Sequence, residues 1–384
     1  MYTTFVLGAG FSRAAGLPLA NELLPLVRQR AEVRGSSSII DRDLERYLRY
    51  HERIGEPLPE GAVLIEDLMS FLDIEHFLGL MGSDTLTEQG NRGQLLVRNL
   101  LAETLWERQE AASDAQLAPY RAFVDRLDLT DWVYTFNNDT LLERCLDDAQ
   151  KPYRLFPFRF QSVSNGGGSV ADEAEVTLIK LHGSLDWFSI DPWLHGLGFA
   201  LENSFFYLPR GSVFDDYLSL DLSKLVQGPR LRDDPLVSIY RMRNVGDYLA
   251  THSLAMEAPI LAAPSYHKQL YLGPLRELWN GFGRASYMCP DLVIIGFSLS
   301  PHDEYVRQAL FNLVTGFQSY DRCADGSPKP HMRMVDLQPT PEGQAQYRQA
   351  FAFADWSKTD CRFDGFGLDA IEFVFGHGST LSGP

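Results

Sequence analysis

Three side chains in this sequence have the types and spacing to do chemistry: Asn137, Asp139 and His182. In Thr135-Phe136-Asn137-Asn138-Asp139 an amide and a carboxylate stand two residues apart, able to orient one ligand from two positions. His182, in Leu181-His182-Gly183, has the one side chain whose unperturbed pKa suits proton transfer near neutrality. A different chemistry is offered by Gly8-Ala9-Gly10-Phe11-Ser12, where a short apolar run ending at Leu7 enters a glycine-rich turn. Such turns aim backbone N–H groups at phosphate, here a pyrophosphate. Gly296-Phe297-Ser298 supplies a second small-residue turn with a hydroxyl. The first turn is not the dinucleotide fingerprint Gly-x-Gly-x-x-Gly, because Arg13 holds the third glycine position and the next glycine is Gly16. No acidic ribose ligand follows at the usual spacing either, which argues against hydride transfer.

Side chains so far apart in sequence need a scaffold that brings them together. Five further stretches read as buried strands: Trp132 to Thr135, Val176 to Leu181, Pro259 to Ala263, Leu292 to Ile295 and Met332 to Leu337. Each runs into a polar or glycine-bearing turn, the last being Asp336-Leu337-Gln338. Apolar strands separated by long helical segments predict an α/β fold, a Rossmann-like parallel sheet of about six strands with helices on both faces. Ligands of such sheets sit beyond the C-terminal strand ends, where all these turns fall, so the turns are expected to converge.

The whole chain, 1–384, reads as a single such domain with two insertions. Helical spacing in Asp43 to Leu48, Ile65 to Leu72 and the Leu96/Leu100/Thr104 and Val97/Leu101/Leu105 stripes marks a large helical insertion over about 35–116. Ser162 to Ser169 carries a flexible-loop signal, and 188–254 is an insertion left without assignment. The charge of -17, from 51 acidic and 34 basic residues, argues against broad nucleic-acid binding. Cys145, Cys289, Cys323 and Cys361 are scattered with no C-x-x-C pair, so neither a zinc site nor any other metal site is expected. No leader-like or membrane-length apolar run is evident, and a cytoplasmic protein away from membranes is expected.

Taken in order, Gly8-Ala9-Gly10-Phe11-Ser12…Gly16-Leu17-Pro18, Thr135-Phe136-Asn137-Asn138-Asp139, Leu181-His182-Gly183 and Gly296-Phe297-Ser298-Leu299 resemble the motifs of the sirtuin (SIR2) superfamily. The chain looks most like the bacterial SIR2-like proteins of anti-phage defence. Ile65-Glu66-Asp67-Leu68, Ala263-Pro264-Ser265-Tyr266-His267-Lys268 and Asp303 add to the likeness, which spans about residues 3 to 340. Two departures separate it from protein-deacetylating sirtuins: Leu19-Ala20-Asn21 stands where Asp-Phe-Arg follows their Gly-Leu/Ile-Pro, and their four-cysteine zinc module is missing.

The resemblance implies NAD as substrate and NAD glycohydrolysis as the reaction, releasing nicotinamide and ADP-ribose, with NAD depletion as the defence. It implies that Asn137 orients the ribose hydroxyls or the attacking water, that His182 is a general base or ribose partner, and that Asp139 orients the site or favours developing positive charge. Gly8, Ala9, Gly10 and Ser12 would hold the pyrophosphate, with Phe11 shielding the nicotinamide side. Gly296, Ser298 and Asp336 would serve the adenosine half. ADP-ribosyl transfer, NAD-dependent deacylation and a non-catalytic subunit that binds NAD or ADP-ribose are the alternatives. Plainer readings also exist: an Asx turn at Asn137-Asn138, a helix cap at Ser298, a structural role for His267 and His302, and a phosphate or surface role for Arg13. Because uncontrolled NAD cleavage would harm its own cell, gating by assembly is expected, as a homo-oligomer or with a hexameric HerA-type ATPase.

Overall fold

The computed structural model describes residues 2–376 except 81–88, 165–166, 171–173, 203–211, 216–219, 231–233, 252–256, 263, 268–272, 280–281, 283–289 and 300–302. Its strands, in chain order, are β1 (Thr3–Leu7), β2 (Trp132–Thr135), β3 (Tyr153–Arg154), β4 (Phe160–Ser164), β5 (Gly167–Val170), β6 (Val176–Lys180), β7 (Trp187–Ser189), β8 (Leu222–Lys224), β9 (Ile239–Met242), β10 (Asp291–Ile295), β11 (Met332–Val335) and β12 (Thr359–Arg362). Seven of them make one sheet in the order β12-β11-β10-β1-β2-β6-β3, and every pairing in it is parallel. The fold is therefore α/β, as expected, with seven main strands instead of about six.

The difference has physical causes. Pro259 to Ala262 joins no sheet: it bends at Ile260, with the Leu261 N–H donating back to the Pro259 oxygen at 2.9 Å, and lies across the loop after β6, bridging Leu261 to Gly183, while Ala263 falls outside the described residues. The two strands that sequence reading missed lie at the sheet's edges. β12 is the polar Thr-Asp-Cys-Arg, and β3 is only two residues long, so neither shows the apolar run of a central strand. Where a loop is expected over 162–169, β4 and β5 pair antiparallel, and 165–166 lie outside the described residues.

Helices α1 (Ala9–Ser12), α2 (Ala20–Val33), α3 (Ser37–Arg53), α4 (Ile65–Phe77), α5 (Arg92–Glu110), α6 (Asp114–Arg126), α7 (Leu141–Asp148), α8 (Asp191–Glu202), α9 (Val245–Thr251), α10 (Arg276–Trp279), α11 (Glu304–Gln318), α12 (Pro341–Ala350) and α13 (Ile371–Phe375) complete the molecule. One apolar core packs α6, α7, α11 and α13 on the seven-stranded sheet, around Phe5, Phe123, Ile294 and Leu313. A second core is built by α2 to α5, where the expected helical stripes lie, with Leu96, Leu100 and Leu101 at its centre. The antiparallel sheet β7-β9-β8 and α9 join that same core through Phe188, Leu222, Met242 and Tyr248. The two insertions thus pack on each other as one layer, a partnership invisible in a linear reading. No described helix is long and apolar enough to cross a membrane.

At the N-terminal strand ends, Asp131 accepts N–H bonds from Thr3 at 2.7 Å and Asp128 at 2.8 Å. Burial pushes its carboxyl up to about 6, and the nearby Asp291 charge adds to the rise. The native state therefore keeps a proton on Asp131 that the unfolded chain has lost, and this group's contribution to stability is lost as pH rises from about 4 to 6. In urea unfolding, wild-type stability relative to Asp131→Asn is expected to decline across that window. A pH-independent difference would contradict the assignment.

Candidate functional site

Strand register decides which residues can meet. Leu7 is level with Ile295 on one side and Thr135 on the other, and Thr135 with Lys180. The next residue on each strand (Gly8, Gly296, Phe136 and Leu181) consequently forms one row beyond the sheet, with Asn137 and His182 one step further. The strand order runs outward in opposite directions from β1 and β10, the switch point at which such sheets open a crevice. A cavity of about 250 Å3 lies there. Its lining includes Gly8, Ala9, Ser12, Asn137, Asp139 and His182. Phe297 and Ser298 contribute from the turn after β10, and Glu66, Leu105 and Tyr266 close it from the insertion side.

The glycines at this point serve contact between the two turns. A Cβ on Gly296 would lie 2.1 Å from the Phe11 nitrogen, and one on Gly8 2.5 Å from the Gly296 oxygen. Gly296 also has φ +61°, a conformation that side chains disfavour. The Gly8 N–H donates to the Ile295 oxygen at 2.9 Å, the Gly10 N–H to the Gly296 oxygen at 2.8 Å and the Phe11 N–H to the Gly8 oxygen at 2.9 Å. Three donors of the expected phosphate cradle are thus engaged inside the protein, and neither Gly10 nor Gly296 lines the cavity.

Phe11 is a clear correction. Its ring is buried against Tyr120, Phe123 and Phe366, on the side of α1 away from Ala9 and Ser12, so it shields no ligand. Tyr120 holds the same turn, donating its hydroxyl to the Phe11 oxygen at 2.7 Å. Asp336, expected at the adenosine half, is not brought to this cavity. It stands beyond β11, accepts from Gln338 Nε2 at 2.9 Å, and lies outside the cavity, with burial raising its carboxyl. Arg13 pairs with Glu22 at the surface. His267 is exposed, and His302 lies outside the described residues.

Two of the three chemical side chains, Asn137 and Asp139, meet through Ser12, and His182 lines the same cavity. Asn137 Nδ2 donates to the Gly8 oxygen at 2.9 Å and to Ser12 Oγ at 3.0 Å. Ser12 Oγ donates in turn to Asp139 Oδ2 at 2.9 Å. Asp139 Oδ1 accepts the Leu141 N–H at 3.1 Å, satisfying the first N–H of α7. The following residue, Thr140, is gripped by Gln109 of α5 through two bonds of 2.7 and 3.0 Å, so the helical insertion fixes the site loop directly.

His182 sits among aromatics, edge-on to Phe136 and tilted against Trp279, with Tyr305 Oη 2.7 Å from its Nε2. Burial pushes the Tyr305 phenol upward, keeping it protonated at physiological pH. Gly183 follows with φ +76°, and a Cβ there would strike the Ile260 oxygen. Sequence reading missed Tyr305 and Trp279. The only signal was the aromatic two residues after Asp303, in the first turn of α11.

Lys180 was missed too, because it reads as the end of an apolar strand. It is fully buried, donates to the Asp139 backbone oxygen and reaches Glu143 Oε1 at 2.6 Å. Burial raises the Glu143 carboxyl, and the Lys180 ammonium opposes that rise. On the opposite wall, Ser265 Oγ donates to the buried Asp73, and Tyr266 donates its hydroxyl to Asp67 at 2.8 Å. Among the described residues no cluster of three His, Cys, Asp or Glu is placed to hold a metal ion. No protein-family model matches the chain, and no curated protein does.

The buried Lys180–Glu143 pair makes a signed prediction. Lys180→Met should cost roughly 3–5 kcal/mol, because it strands a buried carboxylate. Lys180→Met with Glu143→Leu should recover much of that loss in chemical denaturation. Equal destabilisation of the single and double variants would show that the pair is not what positions the Asp139 loop.

Proposed function

We propose that this protein is an NAD glycohydrolase, hydrolysing the nicotinamide–ribose bond to nicotinamide and ADP-ribose. The observation that carries the reading is the bonding of Asn137 to both Gly8 and Ser12 at one cavity that His182 also lines. Motifs resembling those of the SIR2 superfamily, up to 288 residues apart in sequence from Gly8 to Gly296, come together at one switch point. At about 250 Å3 the cavity is smaller than the roughly 300–1,000 Å3 usual for a whole small-molecule ligand. It suits the nicotinamide–ribose end of the dinucleotide, with the rest leaving past Ser298. The role in anti-phage defence, the cytoplasmic setting and gating by a homo-oligomer or a HerA-type ATPase rest on the resemblance and on the need to restrain such an activity.

The chemistry makes modest demands. The C1′–N bond breaks with its electron pair going to the pyridinium nitrogen, so nicotinamide leaves neutral without an acid. Water forms the new C1′–O bond and gives up a proton. The protein must position the ribose and favour positive charge developing on it. With Nδ2 engaged by Gly8 and Ser12, Asn137 offers its Oδ1 to a ribose hydroxyl or the water. Asp139, held by Ser12 and Leu141, supplies a fixed negative charge nearby. For His182 to take the proton through the ring nitrogen that Tyr305 does not engage, its neutral tautomer must carry hydrogen on Nε2, donated to the Tyr305 oxygen. Tyr305 thereby positions His182 and sets its tautomer.

Nicotinamide release from NAD is the direct assay, on the protein alone and in its assembled form. Asn137→Ala and His182→Ala should each lower turnover by about 100-fold or more. Tyr305→Phe should lower kcat about tenfold, the worth of one neutral hydrogen bond, with NAD affinity unchanged. Unaltered turnover in both Asn137→Ala and His182→Ala would sink the site, and no NAD cleavage in either state would sink the function.

A further inference from the structure

A larger cavity, about 620 Å3, runs along the outer edge of the main sheet, where β3 is the last strand. It lies between the C-terminal end of α7, the segment 150–159 and the small sheet of β8 and β9. Nothing in the NAD reading uses it. Its lining carries six cations, Lys151, Arg154, Arg159, Lys224, Arg241 and Arg243, against one acid, Asp147. In a chain of net charge -17 this is a local reversal of sign.

The reversal follows from strand alternation. Along β9, Met242 points into the second core, so Arg241 and Arg243 face the other way, beside Ser223 of the neighbouring strand. Four of the cations are braces for the walls. Lys151 donates to the carbonyls that end α6 (Val124, Asp125 and Leu127). Arg154 and Arg159 share Glu175, and Arg241 holds Asp186 at 2.7 Å and the Tyr153 hydroxyl at 2.7 Å. Lys224 and Arg243 are different: both are exposed, and neither has a side-chain hydrogen bond or ion pair among the described residues. Counting Asp147, Glu175 and Asp186 against the six cations leaves a surplus of three positive charges.

We propose that this groove binds the phosphates of a nucleotide-sized small molecule, with Arg243 and Lys224 as its direct contacts. The volume falls within the range of small-molecule sites, and guanidinium groups match phosphate oxygens in geometry and charge. The braced arginines keep the walls fixed, which lowers the ordering cost of binding, and the positive surplus comes from Lys151, Lys224 and Arg243. The site is independent of the NAD reading, since none of its lining residues belongs to the first cavity.

Calorimetric titration of the full chain with ATP, inorganic tripolyphosphate and a short single-stranded oligonucleotide tests it. Saturable, salt-sensitive binding of ATP or tripolyphosphate is expected, retained in Asn137→Ala and weakened roughly tenfold or more by Lys224→Glu with Arg243→Glu. ATP binding tighter than tripolyphosphate identifies a nucleotide, and equal affinities identify the phosphate chain as the recognised part. The milder Lys224→Gln with Arg243→Gln pair, with an unchanged urea midpoint, guards against a folding artefact. No binding of either small anion, binding indifferent to both double variants, or tighter binding of the oligonucleotide would each overturn the proposal.

Discussion

The backbone contact between the turns after β1 and β10 is the constraint on which the site depends. Gly8, Gly10 and Gly296 bring two loops within hydrogen-bonding distance, at a separation that no Cβ would permit. That approach seats α1 against the strand ends and turns Ser12 toward Asn137 and Asp139. It also sends Phe11 into the core, where three aromatic rings hold it. Glycine at these positions is a packing requirement first. Any ligand contact made by the turn comes from what the packing leaves facing the cavity, Gly8, Ala9 and Ser12.

Buried charge is the second organising element. Lys180 and Glu143 lie wholly inside the protein, and Arg241 and Asp186 pair close by. Such groups add little net stability, since desolvation offsets most of their attraction. Their effect is geometric: Lys180 ties the Asp139 backbone to α7, while Arg241 ties the small sheet to the loop after β6. The Leu185 N–H donates to the Asn138 oxygen at 3.0 Å, linking those two loops across the site. An apolar replacement could match the stability without reproducing these directions.

The sequence made the central strands, the helical stripes and the convergence of Asn137, Asp139 and His182 legible, because period and turn chemistry are local properties. It misled wherever the deciding contact was distant. The apolar Pro259 to Ala262 segment reads as a core strand, yet its partner is the His182 loop instead of a neighbouring strand. Phe11 sits within the right turn, and only the direction of its side chain, into the core, removes it from the cavity. Lys180 and Tyr305 were hidden for the opposite reason. One is a cation inside an apolar strand, the other an aromatic in a helix, and neither has a local pattern to announce its partner.

The helical layer also changes what counts as the site. In a bare parallel sheet the switch-point crevice would be open, with only strand-end turns around it. Here Leu23, Glu66 and Leu105 reach the cavity from α2, α4 and α5, and Ser265 lines it while bonded to Asp73 of α4. Burial raises the Asp73 carboxyl, and bonds from Ser265 and Gln94 oppose that rise, so the network holds the 264–266 segment against the helical layer. The same layer reaches Thr140 through Gln109. Loosening that layer from the sheet would therefore open the far wall and release the loop that carries Asn137 and Asp139. The shape of this cavity depends on the insertion helices, whatever ligand it takes.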